Sequence, residues 1–258
     1  MRQVALAKCD AARAEIRGVV AAAGWRVRPQ LRSRRVNGSF WPRSRAMQIF
    51  WVFDVVSPIS YLGLKQLSDM PAADSIEFVP VLFAGLLEHF GQLGNAEVAP
   101  KRRFTYRFVL WRARRMGIAM RMPPAHPFNP LAALRMILAA GCDRRAVNTV
   151  MDAAYLHGRD IADPGVIEEL ARELDIDDPQ GALSDPAVKQ RLRANTQWAI
   201  DRGVFGVPTC VIENEIFWGH DAFGMALDCL REPEQFKSSQ MQAIETLPIG
   251  VTRSKRQG

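Results

Sequence analysis

Residues 48–56, "QIFWVFDVV", form a nearly continuous apolar run rich in aromatic and β-branched side chains. A run without alternation predicts a strand buried on both faces, as in a parallel sheet. The period then changes. In "SPISYLGLKQLSDM" the apolar positions Tyr61, Leu64 and Leu67 recur at helical spacing, with Ser57 suited to the N-cap and Pro58 to the first helical position. "SIEFVPVLF" returns to strand character, so the first unit reads β-α-β.

From about residue 84 to 203 every strong signal is helical. In "PKRRFTYRFVLWRARRMG", Phe104, Phe108 and Trp111 fall at i, i+4 and i+7. Asn129-Pro130, Asp163-Pro164 and Asp185-Pro186 each set a capping side chain before a proline. They predict helices near 130–140, 164–174 and 186–201, and a further helix spans about 143–157. Strands return at "PTCVIENEIFWG", two short runs flanking a turn at Glu213-Asn214. "HDAFGMALDCL" closes the body with a short helix capped by Asp221.

Without the helical block the order is β-α-β-β-β-α, the core of a thioredoxin fold. The predicted class is therefore α/β: a thioredoxin-like fold with a large all-helical insertion between its β-α-β and β-β-α halves. The thioredoxin-like part comprises residues 47–83 and 204–235, and the insertion residues 84–203. Residues 236–258 form a C-terminal tail, and residues 1–46 a basic extension, disordered or not native.

Composition changes this picture in one respect. The 258 residues are 48% hydrophobic and 24% charged, ordinary for a soluble globular protein. No apolar run approaches the roughly 20 residues of a membrane span, so no membrane partner is expected. The formal charge is +7, but residues 1–46 carry eleven Lys or Arg against two acids, which leaves residues 47–258 at −2. The basic balance belongs to the leader, and nucleic acid is not an expected partner of the body. The leader itself has three readings: an Arg-rich targeting segment, a basic arm for anionic surfaces, or upstream sequence translated from a start codon placed too early. Met47, directly before the first strand, stands where an initiator would.

The four cysteines, Cys9, Cys142, Cys210 and Cys229, form no close pair, and none has a histidine at metal-ligand spacing. No metal site and no redox dithiol are expected. Each cysteine reads as a small buried hydrophobe, and free thiols suit a reducing compartment, the cytoplasm.

Three segments can carry chemistry. Ser57-Pro58-Ile59-Ser60 has the spacing of a redox Cys-x-x-Cys with hydroxyls in place of thiols. At a helix N-terminus, Ser57 is at least a cap. It can also donate a hydrogen bond to a bound thiolate and lower that thiol's pKa. Val207-Pro208, directly before a strand, is a candidate cis-proline site, which would turn the Val207 backbone toward an extended peptide; an ordinary trans proline at a strand start is the bland alternative. Asp221 is either only a cap or an acceptor for a ligand ammonium group.

A thioredoxin fold gathers these segments at one end of the sheet. The motifs "FDVVSPISYLG", "GQLGNAEVAPKRRFTYRFVLW", "PPAHPFNPLAALR", "DIADP" and "LRANTQWAIDRGVFGVPTCVIENEIFWGHDAF" span nearly all of the body. Together they resemble the 2-hydroxychromene-2-carboxylate isomerase family, which is related to kappa-class glutathione transferases. The resemblance implies a glutathione-dependent isomerase of aromatic catabolism, acting on a small aromatic carboxylate, cytoplasmic and homodimeric. It implies that Ser57 contacts the glutathione sulfur and that Val207, beside Pro208, pairs with the glutathione backbone. Trp218, Gly219, His220 and Asp221 would bind its γ-glutamyl end. Either Gln92 or Asn95 would complete the site, with Gln92 favoured by register. Lys101 or Arg102 would attract the substrate carboxylate. Phe104, Trp111 and Phe128 would line its slot, though helical core is their plainer reading.

The basic run from Lys101 to Arg115 reads as a solvated helix face, and His126 as either a loop residue or a substrate contact. His89 and His157 carry no recognisable signal. Two alternatives stand beside the isomerase: a kappa-like glutathione transferase for another electrophile, and a non-catalytic thioredoxin-like binding module.

Overall fold

The computed structural model describes residues 47–70 and 73–251. The expectations for residues 1–46, Cys9 included, and for the end of the tail lie outside the described residues.

Strand β1 (Ile49–Phe53) leads into α1 (Pro58–Gln66) and β2 (Ile76–Pro80). A helical block follows: α2 (Phe83–His89), α3 (Ala99–Arg115), α4 (Leu131–Ala139), α5 (Arg144–Tyr155), α6 (Pro164–Glu173), α7 (Pro179–Ser184) and α8 (Pro186–Asp201). The chain closes with β3 (Thr209–Ile212), β4 (Glu215–Trp218), α9 (Phe223–Arg231) and α10 (Ser239–Glu245). The sheet order is β2-β1-β3-β4. β1 runs parallel to β2 and antiparallel to β3, and β3 and β4 form a hairpin. This is the expected thioredoxin-like arrangement.

The absence of alternation in β1 has its reason in two cores. Ile49, Trp51 and Phe53 enter a large cluster with Tyr61, Leu64, Leu134, Ile137, Met151 and Tyr155. Val52 enters a second cluster, with Val79, Val81, Ala199, Val204 and Val211. One face of the sheet is thus covered by α1, α4, α5 and α9, the other by α2 and the end of α8. Residues of the helical block and of the sheet share the first core, so each half lacks an apolar face without the other.

The cap signals place the helices well. Asp143 accepts from Ala146 N–H, Asp163 from Val166 N–H and Asp185 from Ala187 N–H; caps of this kind each contribute about 1 kcal/mol. Four details differ from expectation. The N-cap of α4 is Pro130, with no side-chain bond, and Asn129 stands one residue before it, accepting from Leu131 N–H. Asp178-Pro179 starts the short helix α7, which the sequence reading passed over. The N-cap of α9 is Ala222, with no side-chain bond, so Asp221 does not cap it. Residues read as tail include α10. The apolar run 48–56 stops being strand at Phe53 because Asp54 turns inward, as described next.

Gly63 sets the distance between α1 and the sheet. A Cβ there would lie 2.5 Å from the Trp51 ring and 3.3 Å from Pro208 Cγ. Only glycine lets α1 approach β1 and the start of β3 this closely.

Candidate active site

Ser57 is the N-cap of α1, and its Oγ accepts from Ser60 N–H at 3.2 Å. Its own proton has no acceptor among the described residues. Both peptide units flanking it are fixed: Ser57 N–H donates to Asp54 C=O at 3.1 Å, and Ser57 C=O accepts from Tyr61 N–H at 3.3 Å. The hydroxyl is therefore a donor held in one place at a helix N-terminus, where a negative charge is stabilised. Ser60 differs. Its Oγ is fully buried and has no partner, so it takes no part in ligand contact. An unpaired buried hydroxyl costs stability. Ser60→Ala is thus expected to leave Tm unchanged or raise it by up to about 4 °C; a clear fall in a thermal melt would mean that the hydroxyl has a partner.

Asp54, which the sequence reading missed, lies beneath this loop and is fully buried. Its two carboxyl oxygens accept from Val56 N–H at 2.9 Å and from Phe83 N–H at 2.8 Å. Burial raises its pKa to about 7, against the lowering effect of those two bonds. The Val56 carbonyl accepts from Tyr155 Oη at 2.9 Å and from His126 Nε2 at 2.6 Å. Hence the His126 ring is turned to the backbone before Ser57. Its Nδ1 lies 2.6 Å from Tyr106 Oη. Desolvation holds His126 below the ordinary histidine pKa, so the neutral ring prevails.

The cis-proline segment meets this loop from the neighbouring strand. Val52 pairs with Thr209, and continuing that register sets Pro208 opposite Phe53 and Val207 opposite Asp54. The Val207–Pro208 peptide is cis, as is His126–Pro127. Val207 is buried, yet neither its N–H nor its C=O enters a backbone hydrogen bond among the described residues. Backbone groups without a protein partner are rare at a buried residue. Gly219 N–H donates to Pro208 C=O at 2.8 Å, which ties the segment after β4 to the same corner.

That segment presents its members differently. Trp218 is exposed and packs edge-on against Phe205 at 5.0 Å. Gly206 permits the contact, because a Cβ there would sit 2.5 Å from Trp218 Nε1. Asp221 is exposed at the corner. The His220 imidazole is buried: its Nε2 accepts from Arg112 Nε at 3.1 Å and its ring lies edge-on to Phe108 at 5.9 Å. Burial and the Arg112 charge lower its pKa, against a raising effect of Asp221. Its side chain binds α3, and its backbone is what remains for a ligand.

Phe108 also lies on one open face of α3, together with Arg103, Phe104, Arg107 and Trp111. Phe104 stacks on Phe108 at 6.0 Å and 15°, and Trp111 follows at 6.0 Å. Phe104 and Trp111 are exposed. Neither arginine has an ion pair among the described residues. Phe128 is not part of this face; it packs against the main core and the His126 ring. Lys101 and Arg102 lie in the first turns of α3, exposed. Gln92 and Asn95 are exposed in the loop before it, and no hydrogen bond ties either side chain to Ser57, Val207 or Asp221. No group of three or more His, Cys, Asp or Glu able to hold a metal occurs among the described residues, and no helix there is long and apolar enough to cross a membrane. Cys142, Cys210 and Cys229 are buried and free.

Comparison with known proteins bears on this corner. The family model of the DsbA-like thioredoxin domain matches residues 48–231. Glutathione S-transferase kappa 2 of Caenorhabditis elegans is 27% identical over 214 residues, covering 74% of this chain and 94% of its own. The 2-hydroxychromene-2-carboxylate isomerase of Pseudomonas putida is 29% identical over 193 residues, covering 69% of this chain and 92% of its own. A solved 2-hydroxychromene-2-carboxylate isomerase structure superposes with a TM-score of 0.63 at 26% identity, covering 75% of this chain and all of that one. The resemblance read from the motifs is thus carried by sequence relatives and by a solved structure alike.

Proposed function

We propose, because the chain belongs to the DsbA-like thioredoxin domain family and its relatives include enzymes named as isomerases and as a kappa glutathione transferase, that it is a glutathione-dependent cis-trans isomerase of the 2-hydroxychromene-2-carboxylate type. Its substrate class is a small aromatic carboxylate, and its setting the breakdown of aromatic compounds. The observation that carries the reading is one corner. There a fixed Ser57 hydroxyl with a free proton faces the same strand ends as a buried Val207 peptide with no partner.

Glutathione fits those groups: its peptide backbone would satisfy Val207, and its thiol would meet Ser57. When bound, it supplies a thiolate that adds reversibly to a conjugated double bond, which then rotates as a single bond. The chain's own residues do the rest. Ser57 donates to the sulfur and, with the N-terminus of α1, favours its charged form. Asp221 offers a carboxylate to the γ-glutamyl ammonium, and Trp218 covers that end. Arg103 and Arg107 offer guanidinium groups for a carboxylate beside the Phe104–Phe108–Trp111 rings, with Lys101 adding charge at the mouth. Gln92 and Asn95 stand in the adjoining loop as candidate polar contacts.

A kappa-like transferase acting on another electrophile would use the same corner, and the Caenorhabditis relative favours that second reading. The full chain titrated with glutathione in a calorimeter is expected to release heat and to gain thermal stability at millimolar ligand. No heat and no stabilisation would overturn both enzyme readings. Turnover of hydroxychromene carboxylate against that of a general transferase electrophile then separates the two.

A further inference from the structure

We infer that Tyr155, His126 and Tyr106 are positioning residues that lock the peptide unit preceding Ser57, so that the helical block sets the aim of the Ser57 hydroxyl. The inference rests on the reading of Ser57 as the donor to the thiolate.

The peptide unit joining Val56 to Ser57 is held at both ends. Its N–H, that of Ser57, donates to Asp54 C=O at 3.1 Å. Its C=O, that of Val56, has two lone pairs, and two side chains fill them: Tyr155 Oη at 2.9 Å and His126 Nε2 at 2.6 Å. Because a carbonyl carries no proton, Nε2 must be the protonated nitrogen. In the neutral ring Nδ1 is then an acceptor, and Tyr106 Oη, 2.6 Å away, donates to it. Tyr106 Oη is also 2.9 Å from the His126 carbonyl, so its single proton is shared between the ring and the backbone of the same residue. Tyr155 Oη reaches a second carbonyl, that of Val55, at 3.0 Å.

Two separate parts of the helical block therefore converge on one carbonyl, His126 from the loop before α4 and Tyr155 from the last turn of α5, and a third, Tyr106 from α3, braces His126. Within the loop between β1 and α1, Asp54 holds the N–H groups of Val56 and Ser57, and the helical block supplies the partners of the Val56 carbonyl. With its peptide plane pinned, the Ser57 Cα–Cβ direction is fixed, and the Oγ is left with one free motion, that of its proton. A donor so placed needs no reorganisation when charge appears in front of it. The arrangement also gives the insertion a role in the chemistry beyond covering the sheet.

The test uses the full chain with Tyr155→Phe, His126→Ala, His126→Gln and Tyr106→Phe. Amide exchange at Ser57, read by nuclear magnetic resonance without ligand, is expected to quicken about tenfold in Tyr155→Phe and His126→Ala, the size of one lost hydrogen bond, and less in Tyr106→Phe. In turnover, kcat falls about tenfold while the glutathione Kd stays put, and His126→Gln, whose amide also donates, recovers part of both. Unchanged Ser57 exchange and kcat in Tyr155→Phe and His126→Ala, with only Tm lowered, would overturn the inference. If the wild type binds no glutathione, the proposed function falls, and the exchange measurements alone decide the clamp.

Discussion

Ser57→Ala lowers the isomerisation rate about 10²–10³-fold and leaves glutathione affinity within about threefold, the pattern of a lost donor to developing or stabilised negative charge. In the proposed function affinity is spread over the Val207 peptide, the Trp218–Asp221 segment and the sulfur contact, so removing one contact of several is expected to change binding little. Rate depends on the fraction of thiolate and on its poise, and of the two hydroxyls at the α1 N-terminus Ser57 caps the helix while Ser60 is fully buried beneath it. The substitution also removes the cap on Ser60 N–H, which costs about 1 kcal/mol of stability. Two controls separate the effects. Ser57→Thr keeps both the cap and the donor and retains most of the rate. The ultraviolet absorbance of the bound thiolate, followed against pH, moves upward in Ser57→Ala. A kcat within a few-fold of wild type in the alanine variant would remove Ser57 from the chemistry, whatever happens to Tm.

Which parts of this corner are legible in the sequence follows from how local each is. Ser57-Pro58 at the start of a helix, the Asp-Pro starts of α6 and α8, and the Glu213-Asn214 turn depend on neighbours within four residues, and the sequence reading places them. Asp178-Pro179 carries the same signal and was passed over, since a six-residue helix has too short a period to register. Asp221 misleads because the residues after it resemble a capped start, while the chain waits one more residue before turning helical. Nothing local marks Asp54, Tyr155 or Tyr106. Asp54 reads as the polar end of a strand, and only the approach of Phe83 gives its carboxylate a second partner. Tyr155 meets Val56 across 99 residues and His126 meets it across 70. Such meetings are set by packing of α5 and the cis-proline loop, not by spacing. For His126 the motif leaves a loop role and a substrate contact both open, because a sequence shows that a residue is there and not which way it faces; its ring is turned to the Val56 carbonyl. The aromatic stripe is legible in the spacing of Phe104, Phe108 and Trp111; that Arg103 and Arg107, rather than Arg102, share its face follows only from the turn of α3.

The second large effect concerns stability. Asp54→Ala is expected to cost about 2–5 kcal/mol near pH 5, because it strands the buried N–H groups of Val56 and Phe83, each worth about 1–3 kcal/mol when unpaired. The cost depends on pH in a definite direction. Burial raises the folded pKa of Asp54 from 3.8 to about 7, so between these values the folded state holds a proton that the unfolded state has released. Folding stability from this group is therefore fully present below pH 3.8 and declines as pH rises toward about 7, with a slope of at most about 1.4 kcal/mol per unit. The alanine variant lacks that slope. Its deficit against wild type should shrink from pH 5 to pH 8 in urea unfolding curves, even though the two lost hydrogen bonds are the same at both. A deficit that stays constant from pH 5 to pH 8 would mean that Asp54 is held ionised by its two backbone donors, with burial the weaker influence. A deficit near zero at every pH would mean that the β1–α1 loop keeps its course without the carboxylate, and that Tyr155 and His126 hold the Val56 peptide unaided.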